Sequence, residues 1–148
     1  MDKEAVLATL NRIMEFELAG VVRYTHYALM VFGYNRIPIV KWMHEQATES
    51  LAHAQLAGEM VTWLGGHPSL SIGPLLETEQ HDIGAILRES LAHEKETLSA
   101  YETLLSLSRD VDVRLEEYAR DMIAAEVAHQ DEVNKMLRTP GQTGVYST

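Results

Sequence analysis

Six residues of this chain have the types and spacing for joint chemistry: Glu17, Glu49, His53, Glu94, Glu126 and His129. Glu17 and Glu94 lie 77 positions apart, as do Glu49 and Glu126, and Tyr24 and Tyr101. His53 follows Glu49 by four residues, and His129 follows Glu126 by three. The chain therefore reads as two copies of one unit, each offering a Glu, then a Tyr, then a Glu–His pair. Four carboxylates and two imidazoles make a site for two metal ions. Such oxygen-rich ligation suits iron, or manganese, better than zinc, which favours closed sites of nitrogen and sulfur. The implied chemistry is oxidation of Fe(II) by dioxygen or hydrogen peroxide.

A Glu shortly before a His arises easily by chance in a chain with 22 acids. The conjunction does not, because all six residues fall on apolar helical stripes. Glu17 follows Leu10 and Ile13 and precedes Val21 and Tyr24; Glu94 sits between Leu91 and Leu98. Glu49 and His53 interrupt Trp42, Leu56 and Met60, and Glu126 and His129 interrupt Tyr118, Met122 and Val133. An unpaired carboxylate in a core costs several kcal/mol, so such groups are paired, protonated or metal-bound. No lysine or arginine shares these stripes, whereas two divalent ions would balance four glutamates. Tyr24 and Tyr101 follow Glu17 and Glu94 by two turns. Each is expected either to hydrogen-bond a ligand carboxylate of the opposite hairpin or to satisfy its hydroxyl elsewhere in the core. His44, Glu45, Gln46 and His93 read as solvated groups or subunit contacts.

The elements that position these groups are helices, since apolar residues recur at threes and fours and strand-like alternation is hard to find. The first helix is expected from about Lys3 to Phe32, with a turn over 33–37 and Pro38 in the first position of the second helix. The second helix carries its apolar face on Trp42, Leu56, Met60 and Trp63 before Gly65 and Gly66 stop it. A long connection rich in Gly, Pro and Ser leads to a third helix starting near 78–82. Asp110 or Asp112 caps the fourth. Short, long, short connections describe two antiparallel hairpins joined by one crossover between helices 2 and 3. The expected domain is 1–138, with 139–148 as a non-helical tail.

At 148 residues the chain is expected to be one domain with a proper core. It has no cysteine, which excludes disulfides and thiolate metal sites. The charge of −10 argues against nucleic acid, which is bound by lysine and arginine clusters. It either concentrates cations by field effects or keeps the protein soluble. No apolar run approaches the roughly 20 residues of a membrane helix. The charged, helical start does not look like a signal peptide, so cytoplasm is the default expectation.

In Phe16-Glu17-Leu18 with Tyr24, Arg120-Asp121-Met122 and Glu126-Val127-Ala128-His129, the chain resembles the ferritin-like superfamily, and bacterioferritins most closely. The resemblance spans roughly residues 3–137. It implies an all-α, ferritin-like antiparallel four-helix bundle in which Glu17 and Glu94 are the family's terminal glutamates. Glu126 and His129 match its second Glu-x-x-His motif. It further implies a ferroxidase with two iron ions per chain that passes ferric product to a mineral core inside a homo-oligomeric shell. The chain departs from the family in three places. The first Glu–His pair, Glu49 with His53, is one residue wider than the family spacing, so the usual glutamate aligns with Ser50. Leu51 stands where bacterioferritins carry the haem-ligating methionine, so no haem is expected. No fifth helix is expected after Leu137. Alternatives within the same fold are a di-iron or di-manganese peroxidase or catalase and a mini-ferritin-type stress protein; a bundle serving only protein contacts is the non-enzymatic one.

Overall fold

The computed structural model describes residues 1–147 and contains four helices: α1 (Lys3–Leu29), α2 (Arg36–Trp63), α3 (Ile83–Ser108) and α4 (Val113–Leu137). Strands are absent among the described residues. Three of the helices begin at an aspartate whose side chain accepts a backbone N–H one turn on: Asp2 from Ala5, Asp82 from Ala85 and Asp112 from Leu115. These caps satisfy N–H groups that have no partner within the helix. Asp112, not Asp110, is therefore the cap of α4; Asp110 takes a left-handed φ of 61° in the turn before it.

α1 ends three residues earlier than expected, at Leu29 rather than Phe32. The Arg36 guanidinium reaches back and donates to the Ala28 and Val31 carbonyls. Gly33, at φ +103°, then turns the chain in a conformation open to glycine. α2 starts at Arg36, so Pro38 is its third residue rather than its first. The ring is tolerated there because an N–H at that position lacks an intrahelical acceptor anyway.

The connection between α2 and α3 runs back along α1. Asn11 donates to the His67 carbonyl and accepts the Ser69 N–H, and farther along the Gly73 N–H donates to the Glu15 carbonyl. A Cβ on Gly73 would lie 2.9 Å from that carbonyl oxygen, so only glycine passes here. His26 pairs with Glu77 near the end of α1. The chain is thus delivered to the opposite end of the bundle before Asp82 starts α3. α3 then descends against α1, as the contacts Tyr27–Glu89, Tyr24–Ser90 and Phe16–His93 show. This path is consistent with the expected crossover.

The core falls into separate apolar clusters. The largest joins Val6, Leu10, Ile13, Ala57, Val61, Leu104 and Leu115. Two others lie toward the opposite end, around Tyr24, Val31, Met43 and Ile86, and around Leu87, Leu91 and Val133. Each fully buried aliphatic side chain contributes about 1.5–3 kcal/mol. On every helix the chemistry-bearing residues stand between the stretch feeding the large cluster and the stretch feeding the others. A polar layer therefore interrupts the core at mid-bundle. The buried stripe of α2 is Met43, Ser50, Ala54, Ala57 and Val61, whereas Leu56 and Trp63, expected inside, are exposed. Small residues there let α2 approach α1 closely. No helix is long and apolar enough to cross a membrane.

Candidate metal centre

The polar layer draws on all four helices. Glu17 of α1, Glu94 of α3 and Glu126 of α4 are buried side chains, and His53 and His129 are nearly so. Glu49 is not: its side chain is 49% exposed, against 3% for Glu17. The expectation that all six face the interior is corrected at this residue, and Ser50 occupies the buried position instead. Successive helical residues differ by about 100° in direction, so Glu49 and Ser50 cannot both point inward.

His53 Nδ1 lies 2.8 Å from Glu17 Oε2 and 3.9 Å from Glu126 Oε1, while Nε2 lies 3.6 Å from Glu49 Oε1. One donor atom from each of Glu17, His53 and Glu126 falls within 4.8 Å of the others. Glu17 Oε2 and Glu126 Oε2 are fully buried and accept no hydrogen bond. Glu17 Oε2 nevertheless has the His53 imidazole 2.8 Å away as a charge partner. Two orphaned carboxylate oxygens beside an imidazole fit a cation, because a buried acceptor left unmatched costs about 1–3 kcal/mol or more.

In the other half, the Tyr24 hydroxyl donates to Glu94 Oε1 at 3.0 Å and meets Ser90 Oγ at 2.7 Å and His129 Nε2 at 2.8 Å. His129 is also stacked on Trp42, with centroids 5.7 Å apart and rings 4° from parallel. Gln130 Nε2 donates to the Glu94 carbonyl. Tyr24 thus makes a cross-hairpin bond to the Glu94 carboxylate, as the sequence suggests. Tyr101 does not: its hydroxyl is buried without a partner, as is that of neighbouring Tyr118.

Burial dominates the electrostatics. It lifts the Glu126 carboxyl from 4.5 to about 12, with the charge of Glu94 adding to the effect. It lifts Glu17 to about 7, although the His53 imidazole pulls part of that back. Burial lowers His53, but Glu17, Glu49 and Glu94 outweigh it and the net direction is up. Without a compensating cation, the carboxyls hold protons; an ion must displace them. A narrow crevice of about 10 Å³ reaches this layer between Glu49, Ser50 and His53 on one side and Glu94, Glu126 and His129 on the other.

His93, read from sequence as solvated or at a contact, is buried and bonded through Nε2 to the Phe16 carbonyl at 3.1 Å. Burial lowers its proton affinity, so it serves as a neutral core group beside the site. His44 and Glu45 are exposed and Gln46 half-buried on the outer part of α2.

The profile of the ferritin-like domain matches residues 7–141. The chain belongs to the ferritin family. Its fold superposes on a ferritin-like, diiron-carboxylate protein of Bacillus anthracis with a TM-score of 0.83, at 24% identity over 93% of this chain and 99% of the other. The dodecameric, bacterioferritin-related thioferritin of Bacteroides fragilis gives 0.83 at 21% identity, covering 93% and 86%. The bacterioferritin of Rhodobacter capsulatus gives 0.76 at 22%, covering 89% and 82%. At these identities the likeness is one of fold. No curated protein sequence matches the chain significantly.

Sequence reasoning placed Trp42 in the core stripe, named Ser50 only as the residue aligned with the family's usual glutamate, and passed over Ser90 and Gln130. For this member of the ferritin family the available signal was helical spacing. Ser90 precedes Glu94 by one turn on the same face, and Trp42 lies on the stripe that continues to Glu49 and His53.

Proposed function

We propose that this ferritin-family chain is a di-iron ferroxidase, converting Fe(II) to Fe(III) with dioxygen or hydrogen peroxide for iron storage or detoxification. The observation that carries the reading is the pair of buried, unpartnered oxygens on Glu17 and Glu126 beside His53. Glu17, Glu94 and Glu126 with His53 and His129 would hold the two ions, with Glu49 at the rim of the crevice. Bound iron supplies one-electron reducing equivalents in pairs, so that two ferrous ions and one hydrogen peroxide with two protons yield two ferric ions and two waters. The chain's own part is electrostatic. Glu17 and Glu126 release protons as ions bind, the three carboxylates favour the more highly charged ferric product, and the apolar clusters on either side limit water. The dodecameric state of the Bacteroides fragilis thioferritin supports a homo-oligomer here as well.

Anaerobic titration of the metal-free protein with Fe(II) is expected to saturate near two ions per chain, and Glu126→Ala to lose oxidation while remaining folded. No ferrous binding near that ratio would end the proposal. Iron loading separates storage from a peroxidase of the same fold. Storage requires hundreds of ferric ions per assembly, and a peroxidase retains about two per chain. Light scattering on iron-loaded protein reads the assembly at the same time.

A further inference from the structure

Arg23 is half-buried on α1, where the crossover passes. Its Nη2 donates to the Tyr27 hydroxyl at 3.0 Å, whereas Nη1 meets the Pro74 carbonyl only at 3.4 Å, beyond the usual range. The Nε–H is screened from water and has no acceptor. Among the described residues no Asp or Glu pairs with Arg23, in a chain whose net charge is −10. A guanidinium keeps its charge in proteins and offers five N–H donors in a planar fork that matches a carboxylate. Charges drawn partly out of water are normally paired. This one is not.

The side chain is held from behind. The Tyr27 hydroxyl that accepts from Arg23 donates in turn to Glu89 Oε2 at 2.6 Å, and Glu89 accepts from Thr78 on the crossover. The guanidinium also lies over the Tyr27 ring, 5.9 Å from its centre. Beside it a second crevice, of about 190 Å³, opens between α1 and the crossover. Its walls are Val22, Leu75 and Leu76, all apolar and all exposed. His26 and Glu77, also in the lining, are occupied with each other at 3.4 Å, which leaves Arg23 to meet an incoming anion.

We propose that this crevice binds a small monocarboxylate with a short apolar body, its head on Arg23 and its chain against Val22, Leu75 and Leu76. One guanidinium balances one carboxylate. A phosphate dianion brings a second charge, and no lysine or second arginine lines the crevice to answer it. Drug-sized sites occupy about 300–1,000 Å³, so this one admits only roughly ten non-hydrogen atoms or fewer. The apolar walls select for a chain as well as a charge, because burying them removes exposed apolar surface from water. Once seated, the ligand clamps the crossover to α1. None of the lining residues belongs to the metal centre, so the proposal stands apart from the ferroxidase reading.

Ligand-observed NMR titration of the metal-free full chain with hexanoate, in the presence of a chelator, reads binding without any contribution from iron. A dissociation constant on the order of 1 mM is expected. 1-Hexanol has the chain without the charge; acetate and inorganic phosphate have charge without the chain. Each is expected to bind at least about tenfold more weakly than hexanoate. Arg23→Gln and Leu76→Asp are each expected to weaken hexanoate by about tenfold or more. Leu76 is exposed, so Leu76→Asp decides the matter if circular dichroism shows that Arg23→Gln does not fold. Hexanoate is also expected to slow hydrogen exchange at the amides of residues 75–78. No binding by the wild type, equal binding of hexanol or phosphate, unchanged affinity in Leu76→Asp, or protection only outside the crevice overturns the proposal. All four results leave the ferroxidase reading standing.

Discussion

Tyr24 and Tyr101 occupy equivalent places in the two hairpins, yet their surroundings are opposite. The Tyr24 hydroxyl joins α1 to α3 and α4 through Ser90, Glu94 and His129. Tyr101, equally buried, points its hydroxyl at no acceptor and packs against Tyr118. The second related pair diverges in the same way: Glu126 is buried, whereas Glu49 is half in solvent. Internal repetition in a sequence therefore sets which residue types recur at matched heights, but not the environment each copy meets. Tyr24 and Trp42 of the first repeat join Ser90, Glu94 and His129 of the second in a hydrogen-bonded aromatic wall. The hydroxyls of Tyr101 and Tyr118 and one oxygen each of Glu17 and Glu126 make no hydrogen bond.

The sharpest way to break this comparison is to remove the two related glutamates one at a time. Glu126→Ala is expected to reduce initial Fe(II) oxidation by more than about 100-fold, beyond the 10–100-fold typical of groups that act through a ligand. Glu49→Ala is expected to fall inside that lower range. Equal losses in stopped-flow oxidation assays would make the two glutamates equivalent after all.

The tyrosines come next. Tyr24→Phe strips partners from Ser90, Glu94 and His129 and is expected to destabilise the chain by about 1–3 kcal/mol. Tyr101→Phe removes a hydroxyl already unpaired and is expected to be neutral or stabilising by about 1 kcal/mol. Urea unfolding of both variants decides the matter, and a large loss at Tyr101 would refute its orphaned state.

A further effect follows from protonation. Glu126 has a folded value near 12 against an ordinary 4.5, so its stabilising contribution is complete below pH 4.5 and declines as pH rises toward 12. Glu17 behaves alike between 4.5 and about 7, and His53, also raised, adds the same sign above 6.5. His93, lowered, works the other way as pH falls below 6.5. The metal-free protein is therefore expected to lose stability from pH 5 to pH 8, by at most about 1.4 kcal/mol per pH unit for each retained proton. Glu126→Gln should flatten the curve, and thermal melts in which it does not would assign the dependence elsewhere. Divalent ions should flatten it too, by displacing the protons.

The smallest effect contrasts helix starts in the two hairpins. Asp112→Ala at the head of α4 is expected to cost about 1 kcal/mol. Asn35→Ala at the head of α2 should cost little, because Asn35 makes no capping bond with its side chain. Comparable losses in thermal melts would mean that Asn35 supports α2 by another route.

Helix number, the long connection and the inward placement of five of the six candidate residues were legible because they depend on local rules. A stripe at threes and fours marks a buried face, Asp–x–x patterns mark starts, and a run of Gly, Pro and Ser marks a connection. The ends of α1 and α2 were misread by two or three residues, since the Arg36 side chain closing over the α1 carbonyls is a contact between elements. Leu56 and Trp63 were placed inside although α2 turns its alanines and Val61 toward α1. His93 was read as polar and therefore outside; its acceptor is a carbonyl on a different helix, which no local pattern reveals.

By itself the sequence determined that four helices would bring carboxylates and imidazoles to one level in a core, because apolar periodicity and matched spacing are properties of the chain. Only the tertiary structure decided that Ser50 rather than Glu49 faces that level, and that Tyr24 rather than Tyr101 reaches a glutamate of the other hairpin. Both depend on the rotation of each helix about its axis. That rotation is fixed by how Met43, Ala54, Ala57 and Val61 seat in the bundle, and a step of about 100° between neighbouring residues exchanges inside for outside.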